Sequence, residues 1–95
     1  MRILLVCQQG VSTGMLVENM KKFAEPDDYI EAVPVAHVPK VVENFDVVLV
    51  GPQIRYKYDE INDCASKYNK KIAMIDMLAY GMMDGKKVVQ QAKSL

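Results

Sequence analysis

The chain has 95 residues, 51% of them hydrophobic, and its 12 basic residues balance 12 acidic ones to zero formal net charge. That length supports one core and no second domain, so residues 1–95 are read as a single unit. Basic residues cluster no further than the pairs Lys21-Lys22, Lys70-Lys71 and Lys86-Lys87, which argues against a nucleic-acid partner.

Apolar strand-like runs alternate with helical patterns along the whole sequence, without a repeat or a linker, as in a βαβ array. Ile3 to Val6 is a continuous β-prone run of the kind found in a parallel strand buried on both faces. Met15 to Phe23 reads as the following helix, with Leu16, Met20 and Phe23 on one stripe, and Pro26-Asp27-Asp28 ends it. Tyr29 to Ala36 is strand-like, but Pro34 cannot donate to a sheet ladder and places this strand at an edge. A short helical segment from Val38 to Phe45 precedes a second deeply apolar strand, Asp46 to Val50, which Gly51-Pro52 closes. Ile54, Tyr58, Ile61, Ala65 and Tyr68 trace a helical stripe, Ile72 to Ile75 gives the fourth strand, and Val88, Ala92 and Leu95 mark the last helix.

Right-handed crossovers and an edge position for strand two predict an open four-stranded parallel sheet of order 2-1-3-4 with helices on both faces, an α/β architecture like that of low-molecular-weight tyrosine phosphatases. The strand order reverses between strands one and three. Cys7, at the carboxyl end of strand one, and Gly51-Pro52-Gln53, after strand three, are therefore expected to face one crevice. The loop after Cys7 runs Gln8, Gln9, Gly10, Val11, Ser12, Thr13 and Gly14. Its backbone N–H groups, with the helix N-terminus, favour an anion such as phosphate and favour negative charge on the Cys7 sulfur. Gly10 permits backbone angles that a side chain would oppose, and the Ser12 and Thr13 hydroxyls are candidate donors to phosphate or helix N-caps.

Two familiar chemistries on such a loop are disfavoured. Phosphatases of this architecture carry an arginine six residues after the cysteine to clamp the phosphoryl oxygens, and here that residue is Thr13. Hydrolysis of a phosphocysteine should then be slow, which favours a carrier that waits for another acceptor. Receiver domains phosphorylate an aspartate at the end of a central strand, whereas Asp46 lies at the opposite end of strand three.

The Cys7 loop with Gly10 and Ser12-Thr13, the stretch VVLVGPQIRY from Val47 to Tyr56 and the stretch IDMLAYGMMDGKKV from Ile75 to Val88 together resemble the enzyme IIB component of the phosphoenolpyruvate-dependent sugar phosphotransferase system, in its lactose, cellobiose and chitobiose family. The resemblance runs end to end, with departures at Gln8, where a small residue such as serine is common, and at Gly14, where a second serine often follows. It implies that Cys7 accepts a phosphoryl group from a phosphohistidine on a IIA component and passes it to a β-linked disaccharide held by the membrane component IIC. Gln8 to Gly14 would bind the phosphate, and neither cofactor nor metal is needed. A noncatalytic phosphate- or partner-binding sensor on the same fold is the alternative, though a pure binder needs loop N–H groups but no thiol.

The two cysteines are too far apart for a Cys-x-x-Cys motif and are expected to be reduced thiols. The apolar run after Met1 is too short for a signal-peptide core and no stretch could span a bilayer, so the expected setting is the cytoplasm, as a monomer that meets the membrane transiently through IIC. Among the remaining candidates, Cys64 is read as a core or boundary residue and His37 as a solvated loop residue. Met77, Met82 and Met83, near Tyr80, are read as packing the sheet end. Val11, at the centre of the loop, is expected to be exposed and to meet the phosphoryl donor.

Overall fold

Among the described residues four strands, β1 (Arg2–Cys7), β2 (Tyr29–Pro34), β3 (Val47–Val50) and β4 (Lys71–Met74), pair in parallel in the order β2-β1-β3-β4. The computed structural model describes residues 1–8 and 11–95, with the backbone alone for 11–13. Among the described residues five α-helices accompany the strands: α1 (Val11–Lys21), α2 (Val38–Val41), α3 (Tyr58–Ser66), α4 (Met77–Gly81) and α5 (Gly85–Lys93). Tight 3₁₀ turns flank α2 and another, Pro52–Lys57, leads into α3.

The continuous apolar runs of β1 and β3 are explained by cover on both faces. Ile3, Leu5, Val47 and Leu49 point toward Leu16, Val17 and Met20 of α1, Ala79 of α4, and Val88, Val89 and Ala92 of α5. Leu4, Val6, Val48 and Val50 point the other way, onto Val38, Val42, Phe45, Ile54, Ile61 and Ala65. Burying each such aliphatic side chain stabilises the fold by about 1.5–3 kcal/mol before entropy is counted, so the two central strands are its main anchor. β2 is the edge strand that Pro34 predicted, and Pro34 is its last residue, paired in register with Cys7.

Several element boundaries differ from the sequence expectation for one physical reason. α1 begins at Val11 and ends at Lys21, rather than running from Met15 to Phe23. Leu16 and Met20 are fully buried as expected, but Phe23 lies beyond the helix end and is 52% exposed. Tyr68 and Leu95 likewise fall past the ends of α3 and α5 and are exposed. A residue keeps its place on a helical stripe only while the backbone keeps its helical twist of about 100° per residue. β2 stops at Pro34, short of Ala36, and the helical segment after it is broken by 3₁₀ turns.

A charge cluster centred on a buried carboxylate, with exposed partners, ties the ends of this layer together. The Asp28 carboxylate, only 3% exposed, accepts from Lys93 Nζ at 2.7 Å, from the Glu25 N–H at 2.9 Å and from the Met1 amino group at 3.1 Å. The hydrogen bond from Lys93, followed by that from Glu25, holds the Asp28 carboxyl far below the usual carboxylate range against the opposing effect of burial. A depressed folded pKa contributes stability that is present above the unfolded value, about 4, and is lost as pH falls below it. The melting temperature of Asp28→Asn is therefore expected to lie below wild type at neutral pH, with the gap closing between about pH 4 and pH 2. Parallel curves for the two proteins down to pH 2 would show that the cluster contributes nothing to stability.

Candidate functional site

Cys7 ends β1 with neighbours on both sides fixed by the sheet. Pro34 stands beside it on β2, and Gly51 follows β3 on the other side, donating its N–H to the Val6 carbonyl at 2.8 Å. A Cβ on residue 51 would come within 3.3 Å of the Val6 carbonyl oxygen, 3.9 Å of Cys7 Cα and 3.1 Å of Gln53 Oε1. A side chain there would press on the strand end that carries the thiol. Cys7 is 7% exposed, and its Sγ lies 3.9 Å from the Val33 carbonyl oxygen. The strand order correctly brings strand ends more than 40 residues apart together at Cys7 and Gly51, but the open space beside the thiol is lined by Ile54, Tyr56 and Lys57 of the following turn rather than by Gly51-Pro52-Gln53.

An open depression of about 470 Å³ adjoins the thiol, lined by Cys7, Gln8, Pro34, Val35, Ile54, Tyr56 and Lys57. The 3₁₀ turn after Gly51 delivers Ile54, Tyr56 and Lys57 to this wall. Ile54 is buried and anchors the turn, while Tyr56 is 69% exposed. Lys57 Nζ stands 3.9 Å from Glu60 Oε1 at the start of α3. The sequence reading names neither Tyr56 nor Lys57 as a site residue. The order 2-1-3-4 already directs the residues after Gly51 toward Cys7, and that was the available signal. A second depression of about 500 Å³ runs between α1 and edge strand β2, past Glu18, Lys21, Glu25 and Glu31, with no thiol or imidazole among its lining residues.

The residues proposed from the loop do not all lie in a loop. Gln8 is exposed directly after β1, and Gln9 and Gly10 lie outside the described residues. Val11, Ser12 and Thr13 form the first turn of α1, so Val11 is not at the centre of a loop. Ser12 and Thr13 stand inside the helix rather than at its cap; the position of the Val11 side chain lies outside the described residues. Gly14 is exposed within α1, and a Cβ there would meet nothing within 4 Å. By helix geometry the N–H groups of Val11, Ser12 and Thr13 have no intrahelical acceptor.

The remaining candidates separate clearly. His37 is exposed in the turn after β2 and does not line the Cys7 depression. Cys64 is half-buried on α3 and packs against the Leu4 and Val6 face, as a boundary residue should. Asp46 accepts the Arg2 N–H at 2.7 Å at the other end of the sheet. The methionines depart from the packing expectation: Met83 packs against the core, but Met77 and Met82 are 61% and 69% exposed, with Leu78 at 66% between them. The reason is that α4 is a single short helix capped by Asp76, whose Oδ2 accepts from the Ala79 N–H, and only Ala79 of its apolar residues is fully turned inward.

Residues 2–91 match the family model described as the lactose/cellobiose-specific IIB subunit of the PTS system. The oligo-beta-mannoside-specific EIIB component of Bacillus subtilis is 41% identical over 97 residues, covering 99% of this chain and 94% of that protein. The cellobiose-specific EIIB component of Lactococcus lactis is 35% identical over 101 residues, covering 98% and 94%. The solution structure of the cellobiose-specific phosphotransferase IIB component from Borrelia burgdorferi superposes with a TM-score of 0.81 at 38% identity, over 99% of this chain and 89% of that one. The match over residues 2–91, with relatives 38% and 41% identical covered almost end to end, places this chain in the lactose/cellobiose-specific IIB family of the sugar phosphotransferase system.

Proposed function

We propose that Cys7 is the phosphoryl-accepting nucleophile of a sugar phosphotransferase relay. The observation that carries this reading is the position of the thiol at the carboxyl end of a central strand, beside Gly51 and directly before α1. In the first step the Cys7 sulfur attacks the phosphorus of a phosphohistidine on a IIA partner; the S–P bond forms, the P–N bond breaks, and the imidazole nitrogen takes up the proton that the thiol gives up. In the second step a sugar hydroxyl oxygen, presented by the membrane component IIC, attacks the same phosphorus. The S–P bond breaks, the thiolate leaves, and the hydroxyl proton passes to a base or to solvent.

Little acid–base chemistry is asked of this chain, so its contribution is positioning and charge stabilisation. The first-turn N–H groups of α1, with Gln8 to Gly14 as the phosphate-binding segment, supply donors to the equatorial oxygens. Lys57, in the depression beside Cys7, is the cation that complements an incoming dianion, with its competition from Glu60 weak at 3.9 Å. Where related phosphatases hold an arginine this chain has Thr13, which fits a carrier that does not hydrolyse its intermediate.

Relatives are named for oligo-beta-mannosides, for cellobiose and for galactose; the first two are β-linked and the first is the most identical of the three at 41%, and a β-linked oligosaccharide is the acceptor we propose. Among the described residues no helix is long and apolar enough to cross a membrane, and in this reading the chain works at the cytoplasmic face as a monomer that docks in turn on IIA and IIC. The test is intact mass after incubation with a phosphorylated IIA protein. A single phosphate that is removed by iodine, which cleaves S–P bonds, is expected. Absence of phosphate uptake from such donors would overturn the carrier reading in favour of a noncatalytic binding module.

A further inference from the structure

Among the described residues that line the depression beside Cys7, Lys57 alone carries a charge; the others are Gln8, Pro34, Val35, Ile54 and Tyr56. Its ammonium is turned toward Glu60, with Nζ 3.9 Å from Oε1, and the two side chains are 42% and 63% exposed. That separation is about 1 Å longer than a charge-assisted hydrogen bond, and exposed pairs of this kind hold each other weakly. Glu60 does not depend on this partner. It lies in the first turn of α3, where free backbone N–H groups and the helix dipole favour a carboxylate. Lys57 is the last residue of the 3₁₀ turn before that helix, and its flexible four-carbon stem lets the ammonium change partners without moving the backbone.

We infer that Glu60 is a latch on Lys57, holding the ammonium in the empty protein and yielding it to the phosphoryl group on Cys7. The inference rests on the carrier reading above and adds to it the residue that sets how readily the cation is released. A phosphoryl group carries up to about twice the charge of a carboxylate and offers three acceptor oxygens. It therefore outcompetes Glu60 for Lys57 once it enters the depression. Lys57 then supplies the positive charge that residue 13, a threonine, does not. Glu60 acts through Lys57 and is a positioning residue: a tighter pair would withhold the cation, and loss of the pair would leave it free to face the thiol. In the sequence the two residues read as an ordinary surface pair three positions apart, and only the depression gives the pair a role.

Lys57→Met, which keeps most of the stem and removes the charge, Glu60→Gln and the double variant test this. One arm needs no partner protein. It compares alkylation of Cys7 by iodoacetate, an anion, with alkylation by neutral iodoacetamide at low salt, read by peptide mass. The ratio of the two rates reports positive charge near the thiol and cancels differences in thiol reactivity. It should fall about threefold in Lys57→Met and rise about threefold in Glu60→Gln, and salt at about 0.5 M should erase both changes. In the Lys57→Met background, Glu60→Gln should change the ratio by less than about 1.5-fold. An equal rise in both backgrounds would show that Glu60 acts by its own charge rather than by holding Lys57, and would overturn the latch. A wild-type ratio in Lys57→Met would show that the ammonium does not reach the thiol, and would overturn it as well. In single-turnover transfer at saturating phosphorylated IIA protein, Lys57→Met should be about tenfold slower and Glu60→Gln about threefold faster, with the gain lost in the double variant. Slower transfer in Glu60→Gln than in wild type would contradict the latch. Melting temperatures should stay within about 2 °C of wild type because both side chains are exposed; rates that fall in step with melting would reduce the pair to a structural role and dispose of the claim. If wild-type Cys7 takes up no phosphate the carrier reading fails, and the alkylation ratios still decide separately whether Glu60 holds Lys57 away from the thiol.

Discussion

Cys7→Ser is expected to lose stable phosphorylation by at least about 1,000-fold in rate, while Cys64→Ser takes up phosphate like wild type. Serine nearly reproduces the shape of cysteine, so the strand end between Pro34 and Gly51 should be preserved, and the backbone donors of α1 remain in place. What is lost is the nucleophile: a serine hydroxyl is far less acidic and far less nucleophilic than a cysteine thiol. Cys64 provides the control because it belongs to α3 and packs on the Leu4 and Val6 face, with no place in the Cys7 depression. Phosphate incorporation from a IIA donor, with circular dichroism to confirm the fold, measures both. Equal loss in the two variants would remove the assignment of Cys7.

The parts of this molecule that were legible in advance are those where one physical requirement governs a run of residues. Ile3 to Val6 and Val47 to Val50 are apolar at every position because both faces of their strands are covered, and no helix or surface strand needs that pattern. Pro34 marked the edge strand because a missing N–H is tolerated only there. From these followed the strand order, and from the strand order the meeting of Cys7 with Gly51. The start of α1 was hidden because Ser12, Thr13 and Gly14 are poor helix formers; Leu16, Val17 and Met20, packed on Ile3 and Leu5, override that local preference. Lys57 and Tyr56 escaped notice because a 3₁₀ turn, kinked at Ile54, decides which way they face. The Asp28–Lys93 pair and the Gln53–Tyr80 hydrogen bond are contacts between distant residues, and a local pattern carries no trace of such contacts.

Gly85 gives the strongest stability prediction, and it too was hidden, since the glycine before Lys86-Lys87 reads as an ordinary turn residue. It is instead the first residue of α5, buried where that helix crosses α1. A Cβ at this position would lie 2.4 Å from the Asn19 carbonyl carbon, 2.5 Å from the Met20 nitrogen and 2.7 Å from the Asn19 oxygen. All three are backbone atoms of α1, which cannot swing aside as the tip of a side chain could. Gly85→Ala must therefore push α5 away from α1 and open the layer formed by Leu16, Met20, Val88 and Ala92. In its favour alanine has the better helix propensity, worth about 1 kcal/mol. Overpacking typically costs about 1–3 kcal/mol and occasionally more, and a clash with fixed backbone belongs at the upper end. The net expectation is a loss of about 2 kcal/mol, or a melting temperature lower by roughly 8–16 °C for a domain of this size. Gly14→Ala is the matched control, an exposed helical glycine with nothing within 4 Å of the new methyl group, and should gain about 0.5–1 kcal/mol. Because α1 also carries the first-turn N–H groups that the carrier reading assigns to the phosphate, Gly85→Ala should slow phosphoryl transfer even at temperatures where it remains folded. Urea or thermal unfolding of both variants decides the point, and equal stability of the two would mean that α1 and α5 separate at negligible cost.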